Sequence, residues 1–261
     1  MKYDLTLSAP LLNAAGSLGF APEPHSMLDL SSLGAFITNP ISMQPRSPAA
    51  GTRLLTFPGG YLLHTGFPNP GLNRILRTYA SRWARTSLPI WVHLLAEHPH
   101  EVAEMVKRVE SVPGVGAVEL GIHPADDETS VRAAVTASIG ELPLIVRLPL
   151  ERAAQLAFAL NDLPIAALSL GPPQGLLPDA EKSLISGRLY GPSIFPYALK
   201  VLQDIVRSGI PAIAAGGIIT NQQIETMLAA GALAVQLDAI LWCGKIPAIS
   251  IPSPSGRPND S

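Results

Sequence analysis

A chain of 261 residues, 47% hydrophobic and 15% charged, can bury one large core and is short for two average domains. Its formal net charge of −2 and its scattered Lys and Arg residues provide no basic face, which argues against a nucleic-acid groove or a polybasic membrane patch. No apolar run reaches the roughly 18 residues of a membrane helix. We therefore expect a protein that acts on a small molecule, with neither nucleic acid nor membrane as a partner.

Eight short, almost wholly apolar runs recur along the chain, and such runs are typical of strands buried on both faces of a parallel sheet. In chain order they are residues 10–16, 34–38, 89–95, 116–121, 143–148, 165–170, 211–217 and 234–238. Between them, apolar residues three and four apart predict helices, for example in 101–110, 151–160, 197–206 and 221–230. The repeating unit is a strand followed by a helix.

Eight such units predict a single (β/α)₈ barrel, an α/β fold, over residues 1–248. An open, doubly wound sheet stays as the alternative, because periodicity does not show whether a sheet closes. The remaining residues, 249–261, are rich in Pro and Ser and are predicted to be a disordered tail.

The N-terminus and the cysteine content predict a cytoplasmic protein. Asp4 lies within what would have to be the apolar region of a signal peptide. Cys243 is the only cysteine in the sequence and forms no intramolecular disulfide. We expect a cytoplasmic location without an anchor.

In a (β/α)₈ barrel the active site lies at the carboxyl ends of the strands, so the loops there are the candidates. The long loop after the second strand, residues 39–69, runs into the polar stretch LLHTGFPNPGLN (62–73) and is expected to fold over the barrel mouth. His64 in it fits the barrel mouth and is a predicted substrate-binding residue. The alternative is a Pro- and Gly-rich loop that only connects two elements.

Four segments, in this order, resemble the dihydroorotate dehydrogenase family of flavin-binding (β/α)₈ barrels, and the resemblance runs from about Leu5 to Leu241. They are LLNAAGSLG (11–19), FPGGYLLHTGFPNPG (57–71), GRLYGPSIFPYALKVL (187–202) and IPAIAAGGI (210–218). The third resembles the family's Gly-Leu-Ser-Gly-x-x-Ile-x-Pro-x-Ala-Leu segment. The second resembles the loop that helps to hold the pyrimidine, which assigns Asn69 to substrate.

The resemblance implies flavin mononucleotide (FMN) as the cofactor, and a homodimer, since members of the family often dimerise. The cofactor-binding residues that it implies are Ala14, Ala15 and Gly16 beside the flavin ring, Arg147 at its pyrimidine edge, and Gly191, Gly216 and Gly217 at the phosphate.

Physical reasoning also favours an anion at Gly216 and Gly217. The two glycines end an apolar strand, have no side chains to obstruct an anion, and precede a helix that is predicted to begin near Thr220. The free N–H groups and the dipole of a helix start attract negative charge. The alternative is a tight turn, for which a Gly-Gly pair at a strand end is also common.

Several residues depart from the family pattern. Asn39 stands where the second strand of the family ends in a lysine that reaches flavin and substrate. Gly121 and Pro124 replace the substrate-binding Asn and the Cys or Ser base, and Ser169-Leu170 replaces an Asn-Thr pair. Recognition by hydrogen bonds is lost by orders of magnitude when the partners are absent. We therefore predict that the chain does not oxidise dihydroorotate.

Three substitutions introduce other chemistry. Arg147 replaces a lysine and keeps a charge that stabilises a reduced flavin, although it is equally an arginine paired to Glu119 in the barrel mouth. His123, at the loop position of the family's acid/base residue, is the predicted catalytic residue, and a surface histidine before Pro124 is the alternative. Asp238 is either a helix N-cap or a charge that competes with the flavin phosphate.

The histidines show no metal-ligand spacing, so no metal site is predicted. The sequence thus predicts an FMN-dependent oxidoreductase for a small cyclic or conjugated substrate other than dihydroorotate. The alternative is a redox-inactive barrel of the same descent that binds a ligand or a partner protein. The retained Gly191, Gly216 and Gly217 favour the oxidoreductase, and Asn39, Gly121 and Asp238 favour the alternative.

Overall fold

Each of the eight apolar runs contains one strand of a single parallel sheet in the structure, a computed structural model that describes residues 5–23, 28–95 and 97–247. In chain order the elements are β1 (Leu11–Asn13), β2 (Phe36–Ile37), β3 (Leu54–Phe57), β4 (Gly60–Leu63), α1 (Leu72–Trp83), β5 (Ile90–Leu95), α2 (Pro99–Glu110), β6 (Val115–Gly121), α3 (Glu128–Ala137), β7 (Leu144–Leu148), α4 (Ala153–Ala159), β8 (Ala167–Leu170), β9 (Gln174–Pro178), β10 (Leu184–Tyr190), α5 (Phe195–Val206), β11 (Ala212–Ala215), α6 (Asn221–Ala229), β12 (Ala234–Leu237) and α7 (Ala239–Trp242). The tail predicted for 249–261 lies outside the described residues.

The sheet closes into a barrel. Its strand order is β1-β12-β11-β8-β7-β6-β5-β2, and a parallel bridge between Leu12 and Ala35 joins the two ends. The side chain of Asn13 reinforces this short seam, since its Oδ1 accepts from the N–H of Ile37 at 2.8 Å and its Nδ2 donates to the Ile37 carbonyl at 2.7 Å. The (β/α)₈ prediction is confirmed and the open sheet is excluded.

Burial on both faces explains why the strands read as unbroken apolar runs. Side chains such as Ile37, Trp91 and Ile145 pack inside the barrel, while residues that alternate with them pack outward against the helices. Helix α2, for example, buries Val102 and Val109 against the outer face. The core therefore has two layers, one on each side of the sheet.

A second sheet, which the sequence did not predict, covers the barrel mouth. It is antiparallel, in the order β3-β4-β10-β9, and combines the loop after β2 with the loop after β8. The β3–β4 turn sits against the end of β10, where a Cβ on Gly60 would lie 2.1 Å from the carbonyl oxygen of Tyr190. The prediction that residues 39–69 fold over the mouth is confirmed.

No helix in the described ranges has the length and the apolar character needed to cross a membrane. The same residues contain no group of three or more His, Cys, Asp or Glu side chains arranged to hold a metal ion.

Candidate active site

A cavity of about 500 Å³ lies between the strand ends of the barrel and the covering sheet. This volume is within the range of about 300–1,000 Å³ that is usual for small-molecule sites. Apolar side chains such as Leu63, Phe67 and Ile122 form much of its wall. Histidine and arginine side chains interrupt that wall and provide the cavity with hydrogen-bonding and charged groups.

A buried network centred on Glu119 links five barrel strands beside this cavity. Its Oε1 accepts from Ser169 Oγ at 2.7 Å and from Gln236 Nε2 at 2.6 Å, and its Oε2 lies 2.6 Å from His93 Nδ1. Arg147 Nη1 lies 3.8 Å from Glu119 Oε2 and donates to Gln236 Oε1 at 2.5 Å. Burial alone would raise the pKa of Glu119, but the hydrogen bond from His93 and the charge of Arg147 lower it to about 2. The carboxylate is therefore ionised.

His93 presents a fixed acceptor to the cavity. Burial lowers the pKa of His93 below its usual value, even though its contact with Glu119 acts in the opposite direction. A neutral ring that donates from Nδ1 to the carboxylate keeps the lone pair of Nε2 free. That atom is close to Gly121, where a Cβ would lie 2.5 Å from it. His93 is thus a core histidine with a satisfied Nδ1 that also lines the cavity.

The predicted site residues divide into two groups. Ala15, His64, His123 and Arg147 line the cavity. His123 is exposed at the rim, and its Nδ1 accepts from the Ala125 N–H at 3.2 Å. The described cavity wall does not include Ala14, Gly16, Asn69, Gly191, Gly216 or Gly217.

The side chain of Asn69 makes its hydrogen bonds within its own loop. Its Oδ1 accepts from the N–H groups of Ser42 and Gly71, and its Nδ2 donates to Ser42 Oγ and to the Phe67 carbonyl. These bonds use the whole side-chain amide and hold the loop in shape. The structure therefore gives Asn69 a structural role and does not bring it to the cavity.

Asn39 is also engaged in structural hydrogen bonds, in this case with the backbone of Gly19. Its Oδ1 accepts from the N–H of Gly19 at 3.1 Å, and its own N–H donates to the Gly19 carbonyl at 2.7 Å. The residue that replaces the family lysine thus ties the loop after β2 to the loop after β1. No cation replaces the lysine at this position.

Two consecutive backbone N–H groups lie unpaired just after β11 ends. Gly216 and Gly217 have φ values of +107° and +70°, and together with Ile218 they are buried. The pairing of Ala215 with Gln236 directs the Gly216 N–H to the Gln236 carbonyl, whereas within the described ranges neither the Gly217 nor the Ile218 N–H donates to an acceptor. A row of amides in this conformation forms a concave site for an anion. Helix α6 uses its first N–H groups differently, in a capping box between Thr220 and Gln223.

An aromatic cluster, formed by Tyr61, Tyr190 and Trp242, lies beside the cavity, with ring centroids 5.7–5.9 Å apart. The Tyr61 hydroxyl is buried and has no hydrogen-bond partner among the described residues. Burial, and next the charge of Asp238, raise the pKa of Tyr61. Asp238 itself caps α7 by accepting from the Ala239 N–H, and burial raises its pKa. Asp238 is therefore an N-cap and also a buried acid near this cluster.

The comparisons with protein families agree with this architecture. The family model for dihydroorotate dehydrogenase matches residues 2–125, and the model for nitronate monooxygenase matches residues 193–248. The catalytic subunit of dihydroorotate dehydrogenase B (NAD(+)) from Desulforudis audaxviator is 30% identical over 252 residues, covering 88% of this chain and 82% of that protein. The corresponding Geobacter sulfurreducens subunit is 28% identical, covering 89% and 83%.

Solved structures show the same fold. The Eimeria tenella DHODH in complex with ferulenol superposes with a TM-score of 0.74 at 17% identity, covering 91% of this chain and 77% of that one. The ligand-free type from the same organism gives a TM-score of 0.76 at 15% identity, covering 93% and 83%. The resemblance found in the sequence is confirmed at the level of family and fold.

Proposed function

The chain belongs to the dihydroorotate dehydrogenase family, and we propose that it is an FMN-dependent oxidoreductase for a small cyclic or conjugated substrate other than dihydroorotate. The observation that carries the proposal is the pair of buried, unpaired N–H groups at Gly217 and Ile218, which form a short row of donors. The family resemblance assigns the flavin phosphate to this row.

The donors in this part of the barrel fit the chemistry of FMN. A buried donor without an acceptor costs about 1–3 kcal/mol, so several such donors together favour a ligand that is rich in acceptors. The unpaired N–H row suits a phosphate, and the orphaned Tyr61 hydroxyl suits a further ligand oxygen. Arg147 and Ala15 line the cavity, where the resemblance assigns the flavin ring.

The chain's own residues would bind the cofactor and accept a proton from the substrate. FMN, when bound, supplies hydride transfer. The N–H row would bind the phosphate, and Arg147 would place positive charge in the cavity. His93 Nε2 would accept a proton from substrate while Glu119 holds Nδ1–H and stabilises the charged ring, as in other histidine–carboxylate pairs. His123 at the rim remains the other proposed proton-transfer residue. Because the orientation of His93 is fixed, we assign the main role in proton transfer to His93.

A titration tests the proposal directly. Purified protein is titrated with FMN, and binding is followed by quenching of the flavin fluorescence. Saturable binding supports the proposal. If FMN does not bind, the protein is instead the redox-inactive, ligand-binding barrel. Two observations favour that second function, namely the buried acid Asp238 and the aromatic rings packed beside it.

Dihydroorotate is expected to cause no appreciable reduction of bound FMN. Gly121 has no side chain with which to contact a pyrimidine amide, the Ser169 hydroxyl is occupied by Glu119, and Pro124 is not a base. The measurement is the anaerobic visible spectrum of the loaded protein after addition of dihydroorotate, with dithionite as a control for a reducible flavin. Rapid bleaching of the flavin by dihydroorotate would contradict the proposed substrate. It would indicate instead the activity for which the relatives are named.

Asp238→Asn is expected to tighten FMN binding by about tenfold, because it removes a like charge near the phosphate and keeps a capping oxygen. The measurement is the FMN dissociation constant. Asp127→Asn is the control, since Asp127 also caps a helix, α3, through a side-chain oxygen that accepts from the Ser130 N–H, but does so from an exposed position. An equal effect of both substitutions would show that Asp238 does not act through the phosphate.

We also propose a cytoplasmic location and a homodimer. The single cysteine supports the location, and the family's tendency to dimerise supports the assembly.

A further inference from the structure

Gly121, the last residue of β6, is a glycine that its backbone conformation does not require. Its φ is not among the positive values that favour glycine, and it pairs with Leu95 and Arg147 in the parallel register of the two neighbouring strands. A glycine in a strand is less favourable than an alanine, because it loses more backbone freedom and packs no side chain. The space around residue 121 must therefore explain the glycine.

The ring of His93 fills this space. A Cβ on residue 121 would lie 2.5 Å from His93 Nε2 and 2.9 Å from His93 Cε1, and both distances are well inside van der Waals contact. The next nearest atom, the Leu94 carbonyl oxygen, would be 3.6 Å away, which is an ordinary contact. The imidazole is therefore the group that a side chain at this position would displace.

Strand β6 both holds the His93 ring and leaves room for it. His93 lies opposite Glu119 in the register of β5 and β6, and its Nδ1 is 2.6 Å from Glu119 Oε2. Gly121 follows Glu119 by two residues, and residues two apart in a strand face the same side of the sheet. The carboxylate therefore fixes one end of the ring, and the other end, with Nε2, lies against the glycine on the cavity wall.

We propose that Gly121 is a positioning residue, and that its missing side chain allows His93 to keep its bond to Glu119 while Nε2 stays open to the cavity. This inference adds a residue to the same site and rests on the proposed function. With a Cβ on residue 121, Nε2 must move by about 0.9 Å to reach the ordinary contact distance of 3.4 Å. Because the ring is buried and its Nδ1 is held by the carboxylate, that movement lengthens the bond to Glu119 or turns Nε2 away from the cavity.

Nitrogen NMR of the histidine rings tests the inference in the purified full chain at neutral pH, without FMN. The His93→Ala variant identifies the His93 signals by their loss. In the wild type we expect the tautomer with its proton on Nδ1. In Gly121→Ala we expect the proton to shift towards Nε2, because the carboxylate no longer holds it on Nδ1. His93 signals that are the same in Gly121→Ala and in the wild type would overturn the inference.

Thermal unfolding gives a second measurement, for which the inference predicts a change of sign. Gly121→Ala is expected to lower Tm by roughly 5 °C, because its Cβ crowds the His93 ring. In the His93→Ala background the same substitution should raise Tm by roughly 2 °C, since alanine loses less backbone freedom than glycine and the ring is absent. A decrease of equal size in both backgrounds would contradict the inference.

Gly116→Ala is the matched control on the same strand. Its Cβ would lie 3.4 Å from Pro89 Cβ, an ordinary contact, so it should raise Tm slightly whether or not the His93 ring is present. If Gly121→Ala does not fold, the double variant with His93→Ala decides, since a folded double variant supports the inference and an unfolded one contradicts it. Neither measurement requires bound flavin, so a failure of FMN to bind remains distinguishable from a failure of this inference.

Discussion

Replacing Glu119 by alanine is expected to lower the free energy of unfolding by about 3–5 kcal/mol, the cost of breaking a buried charge pair by removing one partner. The substitution leaves Arg147 without its carboxylate and leaves His93, Ser169 and Gln236 with donors that have lost their acceptor. These groups are buried, so water does not replace the lost bonds at low cost.

Chemical and thermal unfolding measure this effect, and the loss corresponds to a decrease in Tm on the order of 10 °C for a chain of this size. Glu104→Ala is the control, because Glu104 is 62% exposed and lies 3.7 Å from Arg108. That change is expected to cost no more than about 0.5 kcal/mol. Similar losses in the two variants would mean that the Glu119 network contributes little to stability.

The same comparison has a pH dependence with a defined sign. The pKa of Glu119 is lowered from 4.5 to about 2 in the folded state, so its contribution is complete above pH 4.5 and is lost as the pH falls towards 2. The difference in unfolding free energy between wild type and Glu119→Ala should therefore be largest near neutral pH and should narrow below 4.5. A difference that widens on acidification would contradict the lowered pKa.

Gly217→Asp is expected to weaken FMN binding by about a hundredfold or more, because a carboxylate next to the phosphate costs several kcal/mol. The Cβ would also lie 2.6 Å from the backbone N of Phe195 and 2.7 Å from the Gly191 carbonyl oxygen, which distorts the N–H row. The measurement is the FMN dissociation constant from fluorescence quenching. Gly217→Ala, which introduces the crowding without the charge, should bind FMN with intermediate affinity.

Gly209→Asp is the matched control for backbone strain. Gly209 has a φ of +80°, close to the +70° of Gly217, but a Cβ there meets nothing within 4 Å. This variant makes the same chemical change at an exposed turn and should bind FMN as the wild type does. If Gly217→Asp also binds FMN like the wild type, the N–H row does not hold the phosphate.

Local pattern predicted the barrel because each of its strands carries its own signal. Burial on both faces requires apolar residues at every position, so the eight runs were visible one at a time, and the helices between them showed their own period. Gly216 and Gly217 were also predicted locally, since the end of an apolar strand and the start of a helix define that place.

The covering sheet could not be predicted in this way. Strands β3 and β4 are separated from β9 and β10 by about 110 residues of chain, and their faces are half exposed, so no apolar run marks them. The sheet exists because the closed barrel brings the loops after β2 and β8 to the same mouth. Exposed residues such as Leu54 and Leu184 lie on it.

The chemistry of the mouth was likewise decided by tertiary structure. The sequence placed Arg147 and His123 at strand ends, and both do line the cavity, but it assigned Asn69 to substrate where the folded loop uses that amide internally. His93 and Glu119 occupy different strands, and the protonation state of each depends on its contact with the other. The sequence determines which residues each strand end carries, whereas barrel closure decides which charges become partners, because pairing depends on distances between strands that are remote in the chain.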